Sequence, residues 1–372
     1  MAKPVGTYAA LAVALVLFVF ALPLRAQSPP AALVPAIISF GDSSTDVGNN
    51  NYIPAAAFKA DFPPYGRNFT THKPTGRFCD GKLVTDFTGE CRISYQSFRP
   101  ALASEALGFA SFPPAYLSPQ ASGKRLLQGA SFASAGSGYY EGTAAIYHAL
   151  SLAKQMEYYK EYRIELAKVT GKRKAAGILS GAVHLMSFGN GDFFQNYYIN
   201  SSLRRLYTQD EFSQLLIRRF ASFVKDLHGL GARRIGATSL PPVGCLPAPI
   251  NLFGHGRCIS RLNAEAQNFN RKLNATASQL SSKLPGLNLV VLDIFTPLME
   301  LITSPSEHGF AEVRKGCCGT GTSRTTVLCK PRREGVCANP EQYVFWDGVH
   351  PTQAANQYIA HSLIDQGIAL IA

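Results

Sequence analysis

The sequence predicts an α/β fold in which helices cover both faces of a parallel sheet. Two observations predict it. Short apolar runs recur along the chain, and stretches with helical apolar spacing lie between them. Alternation of hydrophobic strands with helices is typical of a parallel sheet that is buried on both sides. The 372 residues suffice for one large core, and we interpret residues 27–372 as a single domain.

Four strands are predicted, at residues 36–40, 183–188, 233–240 and 287–295. The third follows "EFSQLLIRRFASFVKDLHGLG", whose apolar spacing is helical and which stops at a glycine. The fourth follows the helical stretch "RLNAEAQNFNRKLNATASQLSSKL", and an amphipathic stretch, "QAANQYIAHSLIDQGIAL", ends the chain. Open sheets of this kind bind ligands beyond the carboxyl ends of their strands. Candidate functional residues are therefore sought in the loops that follow the strands.

The first 26 residues have the features of a secretory signal. Lys3 precedes the apolar run "YAALAVALVLFVFALPL", and "RAQSPP" follows it, which predicts cleavage near Ala26. The alternative is an N-terminal membrane anchor, although the apolar run is short for a span. No later segment approaches that length. We therefore expect a secreted, extracellular protein with no stable membrane span.

The eight cysteines fit an oxidising compartment, where disulfides are more common than metal ligands. The disulfide candidates are Cys245, Cys258, Cys317, Cys318, Cys329 and Cys337. We expect the first two to pair and the last four to form two bridges, whose connectivity the sequence leaves open. Cys79 and Cys91 are left over. No metal site is predicted.

Charge and glycosylation signals agree with secretion. Removing the signal leaves 34 basic and 24 acidic residues, a net charge of +10, which favours weak adhesion to anionic polysaccharide such as cell-wall polymer. Nucleic acid is a poor partner, because no basic run is interleaved with aromatic residues. Three N-x-S/T sequons, at Asn68, Asn200 and Asn274, are candidate glycosylation sites.

Two stretches far apart in the chain together carry the residue types of a serine hydrolase. "SFGDSSTDVGNNN", residues 39–51, follows the first strand and contains Ser43, while "FWDGVHPT", residues 345–352, places Asp347 three residues before His350. Such an enzyme needs a hydroxyl to attack, an imidazole to take its proton and a carboxylate to orient that imidazole. The alternative for the first stretch is an ordinary turn that ends a strand.

The motifs resemble those of a known family. "FGDSSTDVGNNN", "GASFASAGSG", "SFGNGDF" and "FWDGVHPT" are similar to the four spaced blocks of the plant GDSL esterase/lipase family, within the SGNH hydrolases, and they occur in the same order. The resemblance implies a three-layer α/β/α sandwich with a flavodoxin-like parallel sheet. It also implies hydrolysis of a carboxylic ester without a cofactor, in the apoplast or cell wall. Lipid, cutin-type and acylated carbohydrate esters all remain candidate substrates.

The resemblance assigns roles to single residues. Ser43 resembles the nucleophile, His350 the general base and acid, and Asp347 the residue that orients the imidazole. The backbone N–H of Ser43, a glycine of "SAGSG" and an asparagine form the oxyanion hole in this family. We favour Gly136 over Gly138 as the glycine.

The third block departs from the family pattern, G-x-N-D, because Gly191 occupies the asparagine position and Asn190 stands one residue early. Either Asn190 reaches the oxyanion from a shifted backbone, or the hole works with two donors. Loss of one donor typically costs about 3 kcal/mol of transition-state stabilisation, which predicts an active but slow enzyme.

Three further alternatives stay open. The same serine could serve an extracellular acyltransferase or polyester synthase, in which an alcohol resolves the acyl-enzyme. The departure at Gly191 also leaves room for a secreted binding protein with weak catalysis. Residues 89–104 interrupt a helical pattern, either as a surface insertion or as an intron translated in error.

Overall fold

The computed structural model describes residues 33–90, 112–318, 327–331 and 335–371. The signal at residues 1–26 and Cys91 therefore fall outside the described residues. Of the insertion at 89–104, only residues 89 and 90 are described.

Four parallel strands form the central sheet. They are β1 (Ile37–Gly41), β2 (Val183–Ser187), β3 (Arg234–Thr238) and β4 (Asn288–Leu292), in that spatial order. All five residues of β1 are buried, as expected for a strand covered on both faces. The four predicted strands are confirmed, with the last ending three residues early.

The segment 130–134 runs along the edge of β1 that faces away from β2. Ser39 N–H donates to the Ala130 carbonyl at 3.1 Å, and Phe132 N–H donates to the Ser39 carbonyl at 2.8 Å. The spatial order is therefore segment 130–134, β1, β2, β3, β4, which is the flavodoxin-like order of a doubly wound sheet. The chain direction across the sheet reverses between β1 and β2, and ligands bind at such a switch point.

Helices connect the strands and cover both faces of the sheet. The α-helices are α1 (Val84–Glu90), α2 (Glu141–Tyr147), α3 (Leu152–Thr170), α4 (Lys172–Gly181), α5 (Ser201–Leu206), α6 (Gln209–Gly229), α7 (Pro247–Phe253), α8 (Ser260–Lys283), α9 (Phe295–Thr303) and α10 (Gln353–Ile371). A π-helix spans Gly191–Tyr197. The 3₁₀-helices are Asn49–Tyr52, Gly123–Gln128, Val243–Cys245, Pro305–His308 and Pro340–Gln342.

Local chemistry fixes the start of α6. Thr208 Oγ1 accepts the N–H of Glu211 at 3.3 Å, and the Glu211 carboxylate accepts the N–H of Thr208 at 2.8 Å. This capping box satisfies two backbone donors that no intrahelical carbonyl can reach. Its position agrees with the helix predicted from the apolar spacing.

Alternate residues of each strand point to opposite layers. Phe40 packs against Phe132, Tyr159 of α3 and Phe223 of α6, with ring centroids 5.2–5.4 Å apart, so these two helices cover one face. On the other face, a Cβ at Gly236 of β3 would lie 3.2 Å from Leu370 of α10. The close approach of α10 to the sheet depends on this glycine, and the result is the expected three-layer sandwich.

A second, two-stranded sheet joins β5 (Glu312–Gly316) to β6 (Tyr343–Phe345). Disulfides link Cys317 to Cys337 and Cys318 to Cys329, which settles the connectivity that the sequence left open. The expected pair, Cys245–Cys258, is also present. Cys79 is a free thiol, buried beside α10.

The candidate glycosylation sites differ in their surroundings. Asn274 is exposed on α8, whereas Asn200 caps α5 and Asn68 donates to Asp80 at 2.7 Å. Their glycosylation stays a prediction. Within the described ranges, no helix has the length and apolar character needed to cross a bilayer.

Candidate active site

The turn after β1 presents Ser43 and is fixed to the end of β2. Asp42 N–H donates to the Ser187 carbonyl at 3.0 Å, and the Asp42 carbonyl accepts the N–H of Asp46 at 3.1 Å. A Cβ at Gly41 would lie 2.6 Å from the Ser187 carbonyl oxygen, so glycine is required where the two strands end. Ser43 is consequently held, half-buried, at the carboxyl edge of the sheet.

Asp46 joins this turn to the glycine-rich stretch 129–138. Its Oδ1 accepts the N–H groups of Gly48 and Asn49, both at 2.7 Å, and its Oδ2 accepts the N–H of Ala135 at 3.0 Å. Burial raises the pKa of Asp46 to about 6, and these backbone donors oppose the rise. The Asn49 amide also donates to two carbonyls of the stretch. The small polar residues after β1 therefore bind two loops together.

The loop after β6 forms around the Asp347 carboxylate. Asp347 Oδ1 accepts the N–H groups of Val349 and His350, both at 2.9 Å. Trp346 N–H donates to the His350 carbonyl at 2.7 Å and closes the loop. Because Asp347 is fully buried, these donors replace the water that would otherwise solvate its charge.

A continuous set of hydrogen bonds links the two distant segments. His350 Nδ1 lies 2.8 Å from Asp347 Oδ2, and His350 Nε2 lies 2.7 Å from Ser43 Oγ. Phe78 packs against the imidazole, with the ring centroids 5.3 Å apart. The structure thus brings together the three residues that the sequence nominated, although Ser43 and His350 are 307 positions apart.

A cavity of about 430 Å³ opens beside these residues. Ser43, Asn190 and His350 line it at the carboxyl edge of the sheet. Ile37 and Val183, which begin β1 and β2, also line it, so it extends along the sheet on the face covered by α10. At least half of its lining residues are aliphatic, and α10 supplies more of them than any other helix.

The candidate positions for the oxyanion hole, Asn190, Gly191 and Gly136, lie in different surroundings. Asn190 lines the cavity, and its buried amide oxygen accepts no hydrogen bond within the described part of the chain. A Cβ at Gly191 would instead lie 3.1 Å from the Ser137 carbonyl oxygen. Gly136 is buried at φ +89°, where a Cβ would lie 2.8 Å from Tyr147 Cβ, so packing alone already requires a glycine there.

Asp192 stabilises the loop that carries Asn190. Its carboxylate accepts the N–H groups of Tyr139 and Tyr140 at 2.7 and 3.1 Å and the hydroxyl of Thr143 at 2.7 Å. Burial raises the pKa of Asp192 to about 7, and these three donors lower it. Because all three groups donate, they favour the ionised carboxylate. The loop after β2 is thereby fixed to the loop before α2.

The model of the family of GDSL-like lipases and acylhydrolases matches residues 37–363. The chain belongs to this family. The match includes the turn at Ser43, the loop after β2 and the loop with Asp347 and His350. The resemblance noted from the motifs is therefore confirmed at the level of the family.

Plant GDSL proteins are close in sequence to this chain. GDSL esterase/lipase APG of Arabidopsis thaliana is 54% identical over 344 residues, which cover 92% of this chain and 93% of the relative. GDSL esterase/lipase At5g22810 of the same plant is 55% identical, with 91% of each chain covered. This GDSL protein is accordingly a carboxylic ester hydrolase. A solved structure, that of YXIM from Bacillus subtilis, aligns at 12% identity with a TM-score of 0.32, over 67% of this chain and 47% of its own.

Sequence reasoning missed two side chains that support the site of this GDSL enzyme. Gln155 of α3 accepts the N–H of Gly41 at 3.0 Å and donates to the Gly41 carbonyl at 2.9 Å, which fixes the end of β1. Tyr65 donates to Asp347 Oδ2 at 3.0 Å. A lone polar residue on the apolar face of a helix is a weak signal for Gln155, and nothing in the sequence connects Tyr65 with Asp347. Within the described ranges, no cluster of His, Cys, Asp or Glu is arranged to hold a metal ion.

Proposed function

We propose that this enzyme cleaves esters by a two-step acyl-enzyme route, with Ser43 as nucleophile and His350 as general base and acid. The observation that carries the proposal is the hydrogen-bond series from Asp347 through His350 to Ser43. Ser43 Oγ attacks the ester carbonyl carbon while its proton passes to His350 Nε2. The imidazolium then donates that proton to the departing alcohol. Water repeats the sequence on the acyl-enzyme and releases the acid.

Asp347 selects the tautomer that this route needs. With its carboxylate beside Nδ1, the ring carries its proton there and leaves Nε2 free to accept the proton of Ser43 Oγ. The same carboxylate stabilises the imidazolium that forms during attack. Its burial and its backbone donors keep it in place through the cycle.

The oxyanion donors in this proposal are the backbone N–H of Ser43 and the side-chain amide of Asn190. The cavity position of Asn190 supports its role. Within the described residues, no donor engages its amide oxygen and opposes rotation toward the substrate. A side chain at position 191 would be directed at the Ser137 carbonyl, which makes this position less suitable for a donor than position 190. Gly136 as a further donor stays a prediction.

Asn190→Ala is expected to lower kcat by about 100-fold with little change in KM, because the lost donor acts on charge that develops only in the transition state. Initial rates on p-nitrophenyl butyrate measure both constants. Asn196→Ala is the matched control, since that buried amide donates to Thr143 instead. Equal kcat values for Asn190→Ala and wild type would remove Asn190 from the oxyanion hole.

The shape of the cavity supports an acyl chain of medium or long length as the part of the substrate bound beside Ser43. Its walls beyond the polar edge are largely aliphatic, and the cavity runs the length of the sheet. Each buried methylene contributes about 0.8 kcal/mol, which favours longer chains until the cavity is full. Among the candidate substrates, lipid and cutin-type esters fit this space better than acetylated carbohydrate.

On p-nitrophenyl esters, kcat/KM is expected to rise at least about tenfold from acetate to octanoate, given the transfer free energy of six methylenes. Gly367→Phe should abolish that rise while sparing the acetate, because Gly367 lines the cavity and a Cβ there meets open space. Gly177→Phe on α4 is the matched control. A preference for acetate in wild type would contradict the proposed substrate class.

We also propose that the protein is secreted. Three disulfides support this, because they persist in oxidising compartments. The apolar N-terminal segment supports it as well. Recovery from the culture medium of a chain that begins near residue 27 would check the proposal, and retention of the full chain in the cell would contradict it.

A further inference from the structure

Tyr65 lies between the Asp347 carboxylate and the backbone of Cys329, which is disulfide-bonded to Cys318. Its side chain is 1% exposed and packs against Phe78 and Trp346. Its hydroxyl donates to Asp347 Oδ2 at 3.0 Å and accepts the N–H of Cys329 at 3.2 Å. The hydroxyl is therefore oriented from both sides: one bond uses a lone pair and the other uses the proton.

The hydroxyl stays a donor throughout the working pH range. Burial, followed by the negative charge of Asp347, raises the pKa of Tyr65 well above its usual value. The neutral phenol accepts the N–H of Cys329 with a lone pair and donates its proton to the Asp347 carboxylate.

The bond from Tyr65 completes the set of donors around the Asp347 carboxylate. Oδ1 receives two backbone N–H groups and lies 2.9 Å from His350 Nδ1, while Oδ2 lies 2.8 Å from Nδ1 and receives the Tyr65 hydroxyl. Without the hydroxyl, the described donors to Oδ2 reduce to the imidazole itself. Rotation of the carboxylate about its Cβ–Cγ bond would then change the distances from both of its oxygens to His350 Nδ1.

The described residues next to Tyr65, at positions 327–329, also contact the Asp347 loop directly. Gly348 N–H donates to the Val327 carbonyl at 2.7 Å. Cys329 is bonded to Cys318, whose N–H donates to the Trp346 carbonyl at 2.6 Å. The Asp347 loop is therefore joined to this segment on both of its flanks, and Tyr65 forms a third link at the carboxylate.

We propose that Tyr65 is a positioning residue that couples Cys329, and the disulfide that joins it to Cys318, to the Asp347 carboxylate and, through it, to the imidazole that activates Ser43. This inference rests on the proposed function. It adds a fourth side chain to the hydrogen-bond series, one that touches neither substrate nor reacting atoms. The alternative is that Tyr65 only packs against Phe78 and Trp346, in which case its hydroxyl is dispensable for turnover.

Tyr65→Phe keeps the ring and removes the hydroxyl. We expect kcat to fall about tenfold with KM within twofold of wild type, since misorientation acts on the chemical step. Tyr162→Phe is the matched control, because that buried hydroxyl donates to the Leu126 carbonyl at 2.8 Å, in the core packed between the sheet and α3. Thermal melting of both variants shows whether each is folded at the assay temperature. A kcat for Tyr65→Phe equal to that of wild type would overturn the proposal.

A double-mutant cycle separates positioning from a general structural effect. In an Asp347→Ala background, Tyr65→Phe should change the residual kcat by less than twofold, because the group through which Tyr65 acts is gone. A tenfold fall in that background as well would overturn the proposal. The cycle therefore tests the path of the effect and not only its size.

Two further measurements extend the test: the first does not use the Tyr65→Phe variant, and the second does not depend on turnover. Replacing Cys318 and Cys329 together by alanine should lower kcat without raising KM, and an unchanged kcat would contradict the coupling to this disulfide. In proton NMR, the low-field signal of the Nδ1–H to Asp347 bond should shift in Tyr65→Phe and stay in place in Tyr162→Phe. An unshifted signal would overturn the proposal. If wild type does not hydrolyse esters but the signal still shifts between wild type and Tyr65→Phe, the proposed function is wrong and the positioning role is retained.

Discussion

Replacing Ser43 by alanine is expected to lower kcat/KM for p-nitrophenyl butyrate by roughly 10⁴-fold or more. The change removes the hydroxyl that lies 2.7 Å from His350 Nε2, so no acyl-enzyme can form. The imidazole and the oxyanion donors remain, and they can assist only direct attack by water. A continuous absorbance assay on purified protein measures the loss.

Ser44 provides a matched control in the same turn. Its hydroxyl donates to Asp42 Oδ1 at 2.8 Å and lies 2.8 Å from Ser187 Oγ, so it is engaged away from the imidazole. Ser44→Ala should keep kcat/KM within about tenfold of wild type, because it loses neutral and charge-assisted hydrogen bonds of modest net value. A fluorophosphonate probe should label wild type and Ser44→Ala but not Ser43→Ala. Unchanged turnover in Ser43→Ala would show that another group is the nucleophile.

Asp347→Asn is expected to lower kcat by about 10⁴-fold with a nearly unchanged backbone. An amide offers one acceptor oxygen, whereas this position receives two backbone N–H groups, the imidazole and the Tyr65 hydroxyl. If that oxygen stays with the backbone, the amide N–H₂ faces Nδ1 and forces the proton to Nε2. The ring then cannot accept the proton of Ser43.

Asp293→Asn is the control for the loss of a loop-forming carboxylate. Asp293 Oδ1 accepts the N–H of Phe295 two residues on, just as Asp347 accepts that of Val349. We expect kcat to remain at the wild-type level in Asp293→Asn. Circular dichroism and melting temperatures of both variants show whether the fold is kept. Wild-type kcat in Asp347→Asn would refute the orienting role.

The central sheet could be predicted because each of its strands is short, apolar and separated from the next by helical stretches. The strand predicted at 287–295 ends at Leu292, since Asp293 caps the turn that starts α9 at Phe295. The segment 130–134 was noted only as part of a glycine-rich stretch. It bonds to β1 along one edge, and small residues carry little strand signal.

The second sheet was not predicted at all. β5 reads "EVRKG", with no buried residue and one apolar side chain, and β6 has three residues. Such strands form only because β5 and β6 pair with each other beside the disulfide-bonded segment. The pairing of Cys317 with Cys337 was equally out of reach, because the spacings of adjacent cysteines to any partner differ by only one residue and the packing of the loop decides between them.

Some residues of the candidate site could be predicted from the sequence, and others could not. Ser43, Asp347 and His350 could be nominated because each lies in a short motif whose residue types fit a reaction. The motif near residue 190 gave two readings, and the structure favours Asn190 because that residue lines the cavity. Tyr65 gave no signal: its partner lies 282 positions away, and a tyrosine between prolines and glycine fits many turns.

The stretch from Asp347 to Ile371 contains both the imidazole-bearing loop and α10, which forms one wall of the cavity. The strands supply the opposite wall and hold the nucleophilic hydroxyl. In the proposed function, exchanges at positions of α10 that border open space, such as Gly367, would reshape the space for substrate. A lineage that inherits this scaffold can diversify its choice of ester through its last few turns of chain, while the reacting groups stay constant.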